Sequence, residues 1–200
     1  MKSVALVFGG AGGIGQAVCD QLCQAQYQVH ACTRHDLDWC QDSARERVVD
    51  LLRAKQPRVI VNCAGVFRSG LDHDMHETFA VNFGSNWHII RGVNDLYRHK
   101  VMDFVMVGSS SYQGSRAAYP LYSASKAAVY NLWQSAQALF QETEIRVSLL
   151  NPQRTRTQMN ADHYNPMLQY HEPHDVAREI LTLVQAHASV CVDMQLEKSQ

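Results

Sequence analysis

Short apolar segments alternate with longer amphipathic segments along almost the whole chain. The apolar segments predict strands, and the amphipathic segments predict helices that pack their apolar side on a sheet. Continuous apolar strands separated by helices form parallel sheets that are covered on both faces. The predicted fold class is therefore α/β, a single Rossmann-type doubly wound parallel sheet with helices on both faces. The predicted strands are residues 4–8, 29–33, 59–63, 104–107, 146–150 and 190–193, and the predicted helices are residues 14–26, 42–55, 79–99, 122–142 and 173 to about 188.

The pattern is compressed after the second predicted strand. Only residues 34–39 separate that strand from the segment that leads into the next helix. A full crossover helix does not fit in this interval, so we expect the third strand of the doubly wound pattern to be short or displaced. No Pro-rich or Ser-rich linker divides the 200 residues, which are predicted to form one domain over residues 1–200.

The overall composition narrows the possible functions. Hydrophobic residues make up 46% of the chain and charged residues 18%, with a formal net charge of −1. This balance is typical of a globular protein and gives no general attraction for nucleic acid or for an acidic membrane. No apolar run is long enough to span a bilayer and no secretory signal is recognised, so we expect a cytoplasmic protein. The cysteines and histidines lack metal-ligand spacing, so we expect no metal site.

A glycine-rich turn lies between the first predicted strand and the first predicted helix. Residues 9–15 read Gly-Gly-Ala-Gly-Gly-Ile-Gly and fit both GxGxxG and GxxxGxG. Glycines allow a tight turn and the close approach of a pyrophosphate, while the helix N-terminus offers free N–H groups and a positive dipole end. The pattern predicts a dinucleotide site formed by Gly9, Gly10, Gly13, Ile14 and Gly15.

The end of the second predicted strand bears on the choice of cofactor. NAD-binding proteins of this kind place a carboxylate there for the ribose hydroxyls. This chain has Thr33 and Arg34 instead, which leaves room for a 2′-phosphate and offers a guanidinium to pair with it. We therefore expect NADP(H) to be favoured, while the nearby Asp36 keeps NAD(H) possible.

Tyr122 and Lys126 stand four residues apart at the start of a predicted helix. This spacing puts both side chains on one face of the helix, one turn apart. An ammonium beside a phenol favours the phenolate, so we expect the pKa of Tyr122 to fall below its usual value. A tyrosine in that state can exchange a proton with a substrate oxygen near neutral pH.

Several short motifs follow one another in a specific order. They are the glycine turn, Asn62-Cys63-Ala64-Gly65, Val81-Asn82-Phe83, Ser109 after an apolar strand, Tyr122-x-x-x-Lys126, and Pro152 followed by Thr157. Together they resemble the short-chain dehydrogenase/reductase family over nearly the whole chain. The chain is shorter than typical members, Phe8 stands where threonine is frequent, and Gln153 stands where glycine is usual.

This resemblance implies catalytic roles for four residues. Tyr122 is expected to be the acid/base, and Lys126 its partner, which also binds the nicotinamide ribose. Ser109 precedes Tyr122 by the family's usual interval and is expected to polarise the substrate oxygen, although the adjacent serines leave this assignment open by one or two positions. Asn82 is expected to support a water-linked proton path to the lysine.

The resemblance also implies a set of cofactor contacts. Asp38 resembles an acidic residue near the adenine, and Pro152 and Thr157 resemble the segment beside the nicotinamide. The full predicted cofactor set is Gly9, Gly10, Gly13, Ile14, Gly15, Thr33, Arg34, Asp38, Asn62, Ala64, Gly65, Tyr122, Lys126, Pro152 and Thr157.

The implied activity is an NAD(P)(H)-dependent interconversion of a carbonyl and a secondary alcohol. The segments around Ser109 and Pro152 are also similar to reductase domains of bacterial ribitol-phosphate cytidylyltransferases, which reduce ribulose 5-phosphate with NADPH. Arg154, Arg156 and Arg116 could then bind a substrate phosphate. The expected partners are a small carbonyl or alcohol substrate and further copies of the chain, as a homodimer or homotetramer.

Two other functions stay open at this point. One is a catalytically silent, cofactor-binding regulatory or assembly protein of the same fold, against which the four intact catalytic positions argue. The other is a nucleotide-sugar epimerase or dehydratase, which would need a larger C-terminal region than the residues after Pro152 provide.

Overall fold

Six parallel strands form one sheet in this computed structural model, which describes residues 2–71, 74–114 and 116–196. The strands are β1 (Val4–Phe8), β2 (Gln28–Cys32), β3 (Val59–Asn62), β4 (Met102–Val107), β5 (Ile145–Pro152) and β6 (Cys191–Met194). Their order across the sheet is β2-β1-β3-β4-β5-β6. The helices are α1 (Gly13–Gln24), α2 (Ala44–Lys55), α3 (Met75–Phe79), α4 (Ser85–Tyr97), α5 (Pro120–Phe140) and α6 (Pro173–Ala186). The predicted fold class, α/β with a doubly wound parallel sheet, is confirmed.

The two faces of the sheet carry two separate apolar cores. Alternate side chains of a strand point to opposite faces, and β1 shows the division clearly. Its Ala5 and Val7 pack with α1 and α6, whereas Leu6 and Phe8 pack with α2, α4 and α5. Because every central strand is covered on both sides, the strands read as continuous apolar runs in the sequence.

No strand forms between β2 and α2, so the expectation of a short or displaced third strand is wrong. Residues 33–43 make turns instead. Asp36 accepts hydrogen bonds from the backbone N–H and hydroxyl of Thr33, both at 2.8 Å, and Asp38 accepts one from the Cys40 N–H at 3.1 Å. Such side-chain bonds to the backbone favour turns over strands. Trp39 anchors this loop against Phe8, with ring centroids 5.4 Å apart.

The predicted helix at residues 79–99 begins earlier and is interrupted. Asp74 caps α3 by accepting a hydrogen bond from the His76 N–H at 2.8 Å. A π-helical turn over Ala80–Gly84 then joins α3 to α4. Such turns are rare and frequently occur at functional sites, and this one contains Asn82.

A charged cluster lies at the amino ends of the strands. Asp103 at the start of β4 is 3% exposed and accepts a hydrogen bond from Arg58. His187 Nδ1 lies 3.2 Å from Oδ2 of Asp103, and Arg146 Nη1 lies 3.9 Å from Oδ1. Two arginines and a histidine therefore surround the carboxylate, at the edge of the sheet opposite to the candidate site described next.

Candidate active site

The loops after β1, β2, β3, β4 and β5 meet at the carboxyl edge of the sheet, where ligands of open α/β sheets bind. The glycine turn after β1 leaves no space for a side chain at Gly9, Gly10 or Gly15. Gly9 has φ of +72°, and a Cβ there would lie 2.7 Å from the Ala64 N. A Cβ on Gly10 would lie 2.7 Å from that of Ala31, and one on Gly15 would collide with the Gly9 carbonyl. The backbone of this turn is thus held against the ends of β2 and β3.

A cavity of about 320 Å³ opens beside this turn. The turn leads into α1, whose N-cap is Gly12. Because glycine has no side chain to cap the helix, the N–H groups of the first turn are available to a ligand. A nucleotide therefore fits the residues present, since the cradle exists only because the glycines lack side chains. Six predicted cofactor residues line the cavity: Gly9, Thr33, Arg34, Asp38, Ala64 and Gly65.

Several lining residues were missed by sequence reasoning, and three of them give the cavity much of its character. Trp39 and Met159 give the cavity apolar wall, and Glu77 gives it a second carboxylate beside Asp38. The signal for Trp39 was an apolar residue within a polar segment. Glu77 carried no such signal, because the predicted helix began two residues after it.

The other predicted cofactor residues do not line this cavity. Asn62 is buried, and its Nδ2 donates to Ser85 Oγ and Asn86 Oδ1, both at 2.8 Å, while its Oδ1 accepts from the Ala64 N–H. It therefore shapes the loop after β3. Thr157 packs on the glycine turn, since its Cγ2 would lie 3.1 Å from a Cβ on Gly13. Gly10, Gly13, Ile14, Gly15, Asn62, Tyr122, Lys126, Pro152 and Thr157 remain predictions as cofactor ligands.

The predicted catalytic groups converge at the start of α5. Lys126 is 5% exposed, and its Nζ donates to the Val107 carbonyl at 3.1 Å. The same Nζ lies 5.8 Å from the ring centroid of Tyr122. A hydrogen bond from Ser109 to Tyr122 acts to lower the pKa of that tyrosine. Three elements, the end of β4, the loop after it and α5, thus bring Ser109, Tyr122 and Lys126 together.

The predicted fall in the pKa of Tyr122 is wrong for the protein alone. Burial raises the pKa of Tyr122, and the hydrogen bond from Ser109 only partly offsets this effect. Burial also lowers the pKa of Lys126 to about 8. The sequence spacing put the two side chains on one face correctly, but loss of water around each group is the largest cause of its own pKa shift.

Ser109 is positioned by a chain of hydrogen bonds that reaches β6. Its N–H donates to Asn151 Oδ1 at 3.1 Å, and Asn151 Nδ2 donates to Asp193 Oδ1 at 3.0 Å. Asp193 also accepts from the Tyr112 hydroxyl at 3.0 Å. Gly108 permits this arrangement, because a Cβ there would collide with Asn151 Oδ1. Sequence reasoning missed Asn151 and Asp193, which lie 42 and more residues from Ser109.

Asn82 is fully buried within the π-helical turn. Its Oδ1 accepts from the Val66 N–H at 2.8 Å, and its Nδ2 donates to the Val66 carbonyl at 3.1 Å and to Ser125 Oγ at 2.9 Å. These bonds tie the loop after β3 to α5, one residue before Lys126. The side chain therefore holds the site together, while its predicted part in a proton path remains untested.

Aromatic rings surround the approach to Tyr122. Phe67 makes edge contacts with Tyr122, Tyr119 and His163, at centroid distances of 5.0, 5.2 and 5.3 Å. His163 lies in a short 3₁₀ helix, Gln158–His163, that follows Thr157. Sequence reasoning did not assign Phe67 or His163 to the site.

The arginines predicted to bind a phosphate contact the segment that follows them. Arg156 Nε lies 3.3 Å from Glu172 Oε1, and its Nη2 donates to the Tyr164 hydroxyl at 3.3 Å. Arg154 Nε donates to the Gln169 carbonyl at 3.4 Å. Arg116 is exposed. Within the described ranges, no group of three or more His, Cys, Asp and Glu side chains is placed to hold a metal ion, and no helix could span a membrane.

Comparisons with known proteins agree with this geometry. A family model described as short chain dehydrogenase matches residues 37–167. The chain is 29% identical over 164 residues to the bifunctional ribulose 5-phosphate reductase/CDP-ribitol pyrophosphorylase Bcs1 of Haemophilus influenzae; this match covers 78% of the chain but only 35% of Bcs1.

Two further proteins match over nearly their whole length. The chain is 25% identical to 2,3-dihydro-2,3-dihydroxybenzoate dehydrogenase of Bacillus subtilis, over 95% of the chain and 94% of that protein. A structure of a short chain dehydrogenase from Burkholderia cenocepacia in complex with NADP superposes with a TM-score of 0.83 at 21% identity, covering 98% of the chain and 89% of that structure. The last likeness concerns the fold alone.

Proposed function

The chain belongs to the short-chain dehydrogenase family, and we propose that it is an oxidoreductase that interconverts a carbonyl and a secondary alcohol with Tyr122 as the acid/base. The observation that carries this proposal is the convergence of Ser109, Tyr122 and Lys126 at the carboxyl edge of the sheet. A family member that had lost catalysis would not be constrained to keep these three groups together.

Each of the three side chains has a distinct part. A bound nicotinamide supplies or accepts the hydride. The Tyr122 hydroxyl gives a proton to the substrate oxygen during reduction and takes it back during oxidation. The Ser109 hydroxyl donates a hydrogen bond to the same oxygen as negative charge develops on it. Lys126 at this position favours the phenolate of Tyr122 when its own amine is charged.

We infer a preference for NADP(H) over NAD(H) at the nucleotide cavity. The pyrophosphate would be held by the N–H groups at the start of α1 and the adenosine end by the loops after β2 and β3. Arg34 supports this preference, because its side chain is 72% exposed at the cavity and its guanidinium can pair with a 2′-phosphate. Thr33 gives less support, since Asp36 occupies both of its donors.

The acid/base assignment is tested by Tyr122→Phe, with Tyr119→Phe as the matched control. Tyr119 is the neighbouring tyrosine, with its ring 6.1 Å from that of Tyr122. Loss of the Tyr122 hydroxyl should lower kcat by about 10²-fold or more, since general acid–base catalysis accelerates reactions by factors of that order. Nucleotide affinity, measured by calorimetry, should stay within about twofold of the wild type, because the substitution removes only the hydroxyl that exchanges a proton with the substrate. Normal turnover of the Phe variant would refute the assignment.

We further propose that the substrate is a small sugar or polyol phosphate. The support is the similarity to Bcs1, of which the chain spans about a third (35%), together with Arg116 in the loop after β4 and with Arg154 and Arg156 in the loop after β5. The test compares NADPH oxidation with ribulose 5-phosphate and with unphosphorylated ribulose, in the wild type and in Arg154→Gln and Arg156→Gln. Equal weak rates on both sugars, or phosphate selectivity that survives both substitutions, would contradict the proposed phosphate contact.

The predicted homo-oligomer is proposed to form through α4 and α5. Each of these helices carries an exposed apolar residue, Trp87 at 42% and Leu139 at 41% exposure. Light scattering on the purified chain tests this proposal, with Trp87→Glu expected to yield monomers.

The rival proposal is a catalytically silent regulator that binds the cofactor. It would be favoured by nucleotide binding without turnover across a panel of carbonyl and hydroxyl compounds.

A further inference from the structure

Glu77 lies in the wall of the nucleotide cavity, together with Arg34 and Asp38. It comes from α3, an element that is distant in sequence from both the glycine turn and the end of β2. Its side chain is only 22% exposed. Partial burial of a charged carboxylate costs free energy unless cations or hydrogen-bond donors compensate for it, so Glu77 needs such partners.

Two arginines face this carboxylate from opposite loops. Arg34 Nη1, in the loop after β2, lies 3.9 Å from Glu77 Oε1. Arg68 Nη2, in the loop after β3, lies 3.7 Å from Glu77 Oε2. One carboxylate therefore bridges the two loops, and each arginine is paired in the absence of a ligand.

The charge of the cavity wall depends on this carboxylate. Among its described lining residues, Arg34 is the one cation, whereas Glu77 and Asp38 are both carboxylates. Asp38 accepts from the Cys40 N–H at 3.1 Å and makes no ion pair with Arg34 within 4 Å, although Arg34 helps to lower the pKa of its carboxyl. Glu77 thus neutralises the group that would otherwise pair with a 2′-phosphate, and it adds like-charge repulsion toward that phosphate.

Glu77 is held in place by the helix that carries it. Asp74 caps α3 through the His76 N–H, and the Thr78 hydroxyl donates to the Asp74 carbonyl at 3.1 Å. The following π-helical turn contains the buried Asn82. The carboxylate is therefore presented from an ordered element, while Arg34 is a long, mostly exposed side chain that can change partner.

Resting on the proposed function, we propose that Glu77 is a specificity-determining residue that lowers the preference of this enzyme for NADP(H) over NAD(H). A 2′-phosphate must displace Glu77 from Arg34 and approach a carboxylate of the same sign. A cofactor with a free ribose hydroxyl leaves the Glu77–Arg34 pair intact. Selectivity is then set by two opposed groups, the arginine after β2 and the glutamate of α3.

The experiment measures binding of two probes that share an adenosine and differ in the 2′-phosphate, 2′,5′-ADP and 5′-AMP. Affinities are determined by calorimetry at low salt for the wild type, Glu77→Gln, Arg34→Gln and the double variant. Glu142→Gln, a substitution of an exposed glutamate after α5, is the matched control. Because no turnover is needed, the result does not depend on knowing the substrate.

Glu77→Gln should raise affinity for 2′,5′-ADP by about threefold or more, as exposed ion pairs are worth up to roughly a fivefold factor and repulsion adds to it. Affinity for 5′-AMP should change by less than about twofold, because the pair is not displaced by that probe. In the Arg34→Gln background the gain should shrink, since the two residues act through one contact.

Three results would overturn the inference. Equal gains for both probes would mean that Glu77 acts only on the shape of the cavity. No change for either probe would show that the pair does not affect the 2′-phosphate, and a full gain in the Arg34→Gln background would show that Arg34 plays no part. Failure of the wild type to bind either probe, or any nicotinamide cofactor, would instead refute the proposed function and the inference with it.

Discussion

Replacement of Lys126 by methionine should make the protein more stable near neutral pH while it abolishes activity. The lysine amine is buried within the fold, and burial lowers its pKa from 10.5 to about 8. The folded state thus holds this proton less tightly than the unfolded chain does. Below pH 8 both states are protonated, and folding carries the full cost of burying the charge.

The size of this cost follows from the difference between the two pKa values. A shift of one pKa unit is equivalent to 1.36 kcal/mol, so a fall from 10.5 to about 8 corresponds to about 3 kcal/mol of lost stability. Methionine has a similar volume and no charge, but it leaves the Val107 carbonyl without its donor, at a cost of about 1 kcal/mol. Lys126→Met should therefore increase the free energy of unfolding by about 2 kcal/mol at pH 7.

The pH dependence provides the sharper test. Between pH 8 and 10.5 the unfolded wild type still binds the proton that the folded state has lost, so the wild type gains stability relative to the variant. The advantage of Lys126→Met should disappear over this range. Urea denaturation of both proteins at several pH values measures it, with the exposed Lys2→Met as control. A variant less stable than the wild type at pH 7, or a difference that does not change with pH, would refute the reasoning.

Three further substitutions test other parts of the structure. Gly9→Ala forces a Cβ to 2.7 Å from the Ala64 N at positive φ, so it should lower stability by about 1–3 kcal/mol and weaken nucleotide binding, as measured by denaturation and calorimetry. Asp103→Asn leaves cations at the amino edge of the sheet without their carboxylate, so it should lower the unfolding free energy by about 3 kcal/mol with KM unchanged. Asn151→Ala removes the acceptor for the Ser109 N–H, and kcat should fall by about tenfold with a smaller effect on KM. A fall in KM alone, or unchanged kcat, would contradict this last expectation.

The elements of this fold are visible in the sequence because each central strand is buried on both faces. All six predicted strands are present with ends displaced by two residues or fewer, and the helices that cover them follow the expected order. The loop after β2 was predicted less well. Asp36 and Asp38 replace a strand by turns through bonds to the backbone, and such bonds compete with strands that local patterns favour.

Some residues of the candidate site could likewise be predicted from the sequence, and others could not. The convergence of Ser109, Tyr122 and Lys126 could be predicted, because the spacing of Tyr122 and Lys126 is local and the interval to Ser109 matches the family that the sequence resembles. Asp193 and Glu77 could not, since their partners lie on other elements and depend on how the strands are ordered. The predicted direction of the pKa shift of Tyr122 was wrong, because sequence spacing indicates which residues are close but not how far the fold excludes water from them.

The loop that replaces the third strand has a consequence for how this protein could change over time. β2 has a neighbour on one side only, and the loop beyond it is attached to the core mainly through Leu37 and through Trp39, which packs against Phe8. The groups proposed to act in proton transfer lie in the loop after β4 and in α5, away from this edge of the sheet. If the loop after β2 holds the adenosine end as proposed, its residues can be exchanged without altering the groups proposed for proton transfer, so that cofactor choice and reaction type can evolve independently.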